Sequence, residues 1–237
     1  MTVATYWETP YCRELSAEVV ALRESEDGAP MFACSQTVFY PRGGGQPGDI
    51  GEWRTKDGGA PIADTVKMED GMIWHVASSG APEKGAEVNL ILDWTRRHQM
   101  MRTHTAMHLL YAAVSLPVTG SSMRELRGRL DFDCPTPPVR EEVESTINGW
   151  IAADTEVKTE WADSAALSEN PQWARAMFAP PPDDAQRVRI VNIVGIDIQA
   201  CGGTHVKSLG EIGLLKIVKM EKKGRINRRM VFALSEG

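Results

Sequence analysis

The chain has 237 residues, 42% of them hydrophobic and 24% charged, with a formal net charge of −6. That is enough apolar material for one large domain or two modest ones, and no apolar run approaches the ~18 residues of a membrane helix. The acidic balance argues against indiscriminate nucleic-acid binding, the N-terminus lacks the basic and apolar segments of a secretory signal, and the four cysteines are scattered singly rather than paired. A soluble cytoplasmic protein with no membrane partner is expected, with Cys12, Cys34 and Cys134 as reduced thiols.

The fold class read from the pattern is α+β, with a small antiparallel β-barrel over 1–92 followed by an α+β domain over 93–237. In the first part, alternating segments at Glu18 to Glu24, Met31 to Gln36, Ile62 to Met68, Met72 to Val76 and Val88 to Leu92 read as strands. Asp27-Gly28, Asp57-Gly58 and Asp70-Gly71 lie between them as turns, and together they predict the barrel. From Asp93 the pattern changes. Trp94 to Ser115 reads as a helix of good formers, with Pro117 just past its end. A strand at Arg127 to Phe132, a helix from Val139 to Asp154, a strand at Val157 to Trp161 and two short helical stretches follow. Pro180 to Asp184 reads as a surface loop, and Arg187 to Ile196 as one buried strand leading to a cysteine motif. Glu211 to Lys219 and Arg228 to Leu234 form a closing hairpin through Lys223-Gly224.

Two motifs carry chemistry: His104-Thr105-Ala106-Met107-His108 and Cys201-Gly202-Gly203-Thr204-His205. Histidines four apart share one helix face, so His104 and His108 can reach one ion. The Gly202-Gly203 pair lets the backbone turn so that Cys201 and His205 converge as well. Imidazole and thiolate are ligands that zinc favours, and one zinc ion per chain is expected on this tetrad. The two ligand pairs lie too far apart for a local zinc finger, and Thr105 stands where a zincin peptidase carries its general-base glutamate. Four protein ligands suit structural zinc, whereas hydrolytic zinc keeps an open position, and composition leaves that choice open. Between Lys216 and Arg229 the chain gathers seven basic residues against one acidic residue, a stripe suited either to a polyanion or to a solvated hairpin.

These motifs resemble the editing domain of alanyl-tRNA synthetase and its free-standing AlaX-type relatives. The resemblance extends to Thr37-Val38-Phe39-Tyr40-Pro41-Arg42-Gly43-Gly44-Gly45-Gln46-Pro47, to Asp197-Ile198-Gln199-Ala200 before the cysteine, and to Lys223-Gly224-Arg225-Ile226-Asn227-Arg228-Arg229, so it spans nearly the whole chain. The Gly-rich motif, Gly43, Gly44, Gly45 and Gln46, marks the longer forms, in which a barrel precedes the catalytic domain. The resemblance implies a trans-acting deacylase that removes serine, and glycine, from mischarged tRNA(Ala), with Ser-tRNA and Gly-tRNA as partners. A zinc ion can polarise an ester carbonyl without a covalent nucleophile. Asp197 and Gln199 are the candidates to orient water or a ligand imidazole.

Alanine is smaller than serine, so size alone cannot exclude the correct product, and a buried hydroxyl must read the serine side chain. Thr37 is the candidate. The Gly-rich segment has no following Lys-Ser/Thr and is not a nucleotide loop; a close backbone approach explains it better. For the tRNA backbone the candidates are Lys219, Lys222, Lys223, Arg225, Arg228 and Arg229 on the hairpin, with Arg96, Arg97 and Arg102 beside the HxxxH helix. His75 and His98 read as surface or packing residues. The alternatives are an RNA-binding module with purely structural zinc, and threonyl-type tRNA editing. The oligomeric state is unknown from sequence.

Overall fold

The structure, a computed structural model, describes residues 2–174 and 186–236, so the loop expected at Pro180 to Asp184 lies outside the described residues. The chain divides into two compact units, Met1–Gly43 with Pro47–His98, and Gly44–Gln46 with Gln99–Gly237.

The first unit contains β1 (Val3–Ala4), β2 (Glu14–Glu24), β3 (Pro30–Cys34), β4 (Gln36–Thr37), β5 (Gly51–Thr55), β6 (Gly58–Lys67), β7 (Ile73–Ala77) and β8 (Glu87–Leu92). Six of these close into a barrel in the order β2-β3-β7-β6-β5-β8, with antiparallel neighbours throughout. The predicted barrel is therefore present, and the three Asp-Gly pairs lie in its β2–β3, β5–β6 and β6–β7 connections. Strand β8 shows why it closes: Val88, Leu90 and Leu92 are buried while Glu87 is exposed. The inward set joins Val19, Phe32, Cys34, Phe39, Trp53 and Ile62 in one core, each large member contributing about 1.5–3 kcal/mol on burial. Strand β5 escaped the sequence reading because only Trp53 of its five residues is buried.

Helix α1 (Trp94–Val114) opens the change of pattern. Asp93 caps it, its carboxylate accepting from the Arg96 backbone N–H at 3.0 Å. The second unit continues with β9 (Val118–Arg124), β10 (Arg127–Asp133), α2 (Arg140–Ala152), β11 (Val157–Asp163), α3 (Ala165–Glu169), β12 (Arg187–Ile193), β13 (Asp197–Ala200), β14 (Leu215–Lys222) and β15 (Asn227–Leu234). A four-stranded antiparallel sheet runs β14-β15-β10-β9, and a three-stranded one runs β11-β12-β13. Helix α2 closes the outer edge of β14, where the Asn148 side-chain amide both donates to and accepts from the Leu215 backbone at 2.9 Å.

Two readings of this unit are corrected. The single strand expected from Arg187 to Ile196 is a hairpin: the chain turns at Gly195, with φ of 75°, and β13 pairs back antiparallel on β12. Near the end, Leu209–Ile212 is a 3-10 turn, so the closing hairpin begins only at Leu215.

Candidate metal centre

From Met101 to Leu110 every residue of α1 is buried, although Arg102, Thr103, His104, Thr105 and His108 are polar. Buried polar groups are costly unless partnered. Arg102 is held by the Ile212 and Ser235 carbonyls, whereas the two histidines converge with residues of a distant loop. The potential ligand atoms of His104, His108, Cys201 and His205 all lie within 4.8 Å of one another. Cys201 Sγ is 3.5 Å from His104 Nε2 and 3.3 Å from His205 Nε2.

The other ring nitrogens are occupied from outside. His104 Nδ1 lies 3.0 Å from Gln46 Oε1, and that oxygen is identified by the Thr204 backbone N–H, which donates to it at 3.1 Å. His108 Nδ1 donates to Asp197 Oδ2 at 3.1 Å, and Gln199 donates to the same oxygen at 2.7 Å. His205 Nδ1 lies 3.1 Å from the Thr105 hydroxyl. With the Nδ1 atoms engaged in this way, three imidazoles and one thiol face a common centre.

The loop that brings in Cys201 is held by Arg189, whose guanidinium donates to the carbonyls of Cys201 and Gly203 at 3.0 and 2.8 Å. Arg189 was missed from sequence. Its signal was an arginine inside the apolar run Arg187–Ile193, where a buried charge needs a purpose. Gly203 is required by packing, since a Cβ there would overlap the His104 ring and come within 2.8 Å of Gln46 Oε1. Gly44 and Gly45 take φ of 57° and 86°, a left-handed turn that side chains resist. That turn delivers Gln46, which also donates to the Thr204 hydroxyl at 2.9 Å, so 44–46 group with the second unit rather than with the barrel.

The electrostatics fit a cation. Burial raises the Cys201 thiol, but the adjacent His104 and His205 outweigh it and hold it well below its ordinary range. Burial also lowers His108, yet the hydrogen bonds and negative charge of Asp197 and Cys201 raise it to about 10. Burial and the neighbouring His104 keep His205 well below its ordinary value. A thiolate balanced by one imidazolium proton is a site in which a divalent cation can take that proton's place. The donor set is nitrogen and sulfur in the number a tetrahedral zinc site uses.

Comparison with known proteins finds relatives over nearly the whole chain. Residues 188–231 match the family model described as the threonyl and alanyl tRNA synthetase second additional domain. Over 245 residues the chain is 33% identical to the alanyl-tRNA editing protein AlaX-M of Methanosarcina barkeri, covering 99% of each chain. The chain belongs to the alanyl-tRNA editing protein family. The AlaX-M of Pyrococcus horikoshii is 31% identical, with 97% of this chain and 96% of that protein covered. The AlaX-L of the same organism is 32% identical over 98% of this chain, which spans only 58% of that longer relative. An alanine–tRNA ligase from Pyrobaculum arsenaticum is 32% identical over 92% of this chain and 25% of the ligase.

The remaining residues singled out in this AlaX-family chain fall into different settings. Thr37 is fully buried, accepts from the Phe39 backbone N–H at 3.0 Å and lies 2.8 Å from His75 Nε2. His75 is a buried packing residue, while His98 is half-buried and stacks on Trp94 at 5.4 Å. Arg97 and Arg102 are corrected, because neither is available to a phosphate. Arg97 has no exposed surface and donates to Asp49 and to the carbonyls of Val38 and Pro10. Arg102 is buried on the carbonyls of Ile212 and Ser235. Arg96 is half-buried, with one nitrogen on the Gly48 carbonyl at 2.7 Å.

On the hairpin, Lys219 and Lys223 pair with Glu221, and Arg229 with Asp131. Arg228 donates to the carbonyls of Pro135 and Asn227. Lys222 and Arg225 are exposed, with no ion pair among the described residues. All four cysteines are free of disulfides. Cys34 is pushed up to about 12 by burial, which makes it an inert packing thiol. No helix among the described residues is long and apolar enough to cross a membrane.

Proposed function

We propose that this chain hydrolyses the ester of mischarged tRNA(Ala) in trans, releasing serine and glycine, with one zinc ion on His104, His108, Cys201 and His205. Membership of the alanyl-tRNA editing family makes it an aminoacyl-tRNA deacylase. The observation that carries the finer reading is the convergence of three imidazoles and a thiol whose outward nitrogens are already held. Bound zinc would supply Lewis acidity at the ester carbonyl, which is already activated and needs no covalent nucleophile.

The chain's own residues do the positioning. Asp197 fixes the His108 ring and Gln199 fixes Asp197, which favours the imidazole-orienting role for both over direct contact with water. Gln46 fixes His104 and joins it to Thr204. Thr37 is the selectivity group. His75 Nδ1 faces the Phe32 carbonyl at 3.2 Å, which can only accept, so Nδ1 carries the proton and Nε2 takes the Thr37 hydroxyl hydrogen. One lone pair of that hydroxyl then accepts from Phe39; Thr37 has no exposed surface, so a serine hydroxyl reaches the other lone pair only when the side chains around it shift. Alanine has no group to offer it; glycine has none either, so this contact accounts for serine alone. The hairpin cations Lys219, Lys222, Lys223, Arg225, Arg228 and Arg229, with Arg96, hold the tRNA backbone.

The deciding assay is release of labelled serine, glycine or alanine from tRNA(Ala), with and without a chelator. Serine and glycine should be released and alanine spared, with the activity lost on chelation and restored by zinc. An absence of metal-dependent release of serine or glycine overturns the reading, and activity on threonyl-system tRNA alone would favour the threonyl-type alternative. Thr37→Val should narrow the gap between Ser-tRNA and Ala-tRNA hydrolysis; unchanged selectivity removes Thr37 from that role.

A further inference from the structure

Thr105 stands between the two histidines of the HTAMH motif and is fully buried on α1. Its hydroxyl meets three groups: the Met101 carbonyl at 2.9 Å, His205 Nδ1 at 3.1 Å and the Val206 backbone N–H at 3.3 Å. A hydroxyl has one proton and two lone pairs. The Met101 carbonyl can only accept, and the Val206 N–H can only donate. With the proton given to Met101 and one lone pair filled by Val206, the second lone pair is satisfied only by an N–H on His205 Nδ1. The His205 ring proton is thereby placed on Nδ1, and Nε2 is left with its lone pair 3.3 Å from Cys201 Sγ.

We propose that Thr105 is the positioning residue that sets the tautomer of His205 and fastens the segment after Cys201 to the helix carrying His104 and His108. The proposal rests on reading the four side chains as one metal centre, and it gives the residue between the histidines a role that does not involve acid–base chemistry. The outer partners of His104 and His108 come from Gln46 and Asp197, far along the chain, whereas the partner of His205 comes from the same helix turn as the first two ligands. One stretch of α1 therefore aligns three of the four donors, two directly and one through Thr105. Valine at this position has nearly the same shape but leaves both the His205 and Val206 N–H groups without an acceptor.

The test uses the full chain as wild type, Thr105→Ser and Thr105→Val. Nitrogen-15 imidazole spectra of the metal-free protein report the His205 tautomer, and competition against a coloured chelator reports zinc affinity. Wild type and Thr105→Ser should both show the Nδ1–H tautomer and equal zinc affinity. Thr105→Val should lose that tautomer preference and bind zinc about 10–100-fold more weakly, the usual effect of removing an outer partner of a ligand. An Nε2–H tautomer in the wild type overturns the proposal whether or not the valine variant folds. So does a Thr105→Val protein with wild-type affinity, or a serine variant as weak as the valine one. None of these readouts involves tRNA, so failure of the deacylation reading would leave them unaffected and separately visible.

Discussion

Strand β8 and helix α1 are adjacent in sequence and bury their residues by different rules. In β8 buried Val88, Leu90 and Leu92 alternate with less buried neighbours, as a barrel strand requires. In α1 the stretch from Met101 to Leu110 is buried throughout and five of its residues are polar. The first pattern is explained by removal of apolar surface from water alone. The second would be strongly unfavourable without partners, and for His104, Thr105 and His108 those partners lie in and around one ligand cluster. Buried polarity is therefore the better pointer to function in this molecule. The barrel unit has a smaller version of it in the Arg97–Asp49 pair and the Thr37–His75 contact.

The largest way to separate the two regions is loss of a ligand. His104→Ala or Cys201→Ala should abolish zinc binding at stoichiometric concentrations and reduce deacylation by more than about 100-fold, beyond the effect typical of an outer partner. Elemental analysis and ester hydrolysis would check this, and full zinc occupancy in either variant would contradict the tetrad. Arg97→Ala should act oppositely. It leaves the Asp49 carboxylate buried and unpaired, so urea unfolding should show a loss of about 3–5 kcal/mol while the zinc stoichiometry of the folded protein is unchanged.

The barrel's own titration is next in size. Burial lowers His75 from 6.5 to about 4, so the unfolded chain takes up the proton first as pH falls. The contribution of His75 to stability should be flat above pH 6.5 and fall as pH drops through the window down to about 4, where it levels off. The total is about 3 kcal/mol at about 1.4 kcal/mol per pH unit. His75→Gln should flatten that part of the profile; an unchanged slope would assign it to other groups. Asp197→Ala should weaken zinc binding by about 10–100-fold through loosening of His108, with barrel stability untouched. The smallest effect belongs to the hairpin. Neutralising Lys222 and Arg225 should raise KM with kcat unchanged and flatten its salt dependence by roughly one unit per residue, measured from 50 to 200 mM salt.

How much of this was legible in the chain depends on whether the signal is local. The barrel strands with apolar alternation, the Asp-Gly turns and the long helix were readable, because period and turn chemistry act over a few residues. Strand β9 was not, since only Met123 among its seven residues is buried and its place is fixed by pairing with β10. The break between β12 and β13 was missed because a buried hairpin and one long apolar strand look alike until Gly195 is seen with positive φ. The four ligand positions were singled out by spacing. Their outer partners came only partly into view. Asp197 and Gln199 lie next to the cysteine motif, whereas Gln46 reaches His104 across 58 positions and Thr204 across 158.

Arg97 and Arg102 show the same limit from the other side. As bare sequence they are cations beside a metal helix, and nothing local separates a phosphate contact from a buried anchor. The sequence by itself determined the period of each element, the turns between strands and which side chains carry metal-binding chemistry. Only the tertiary structure decided which polar groups are buried together, and therefore which partner faces each imidazole and which arginines are already paired. A hydrogen bond is satisfied by whatever the folded chain brings within about 3 Å, and proximity of that kind between distant residues is a property of the fold.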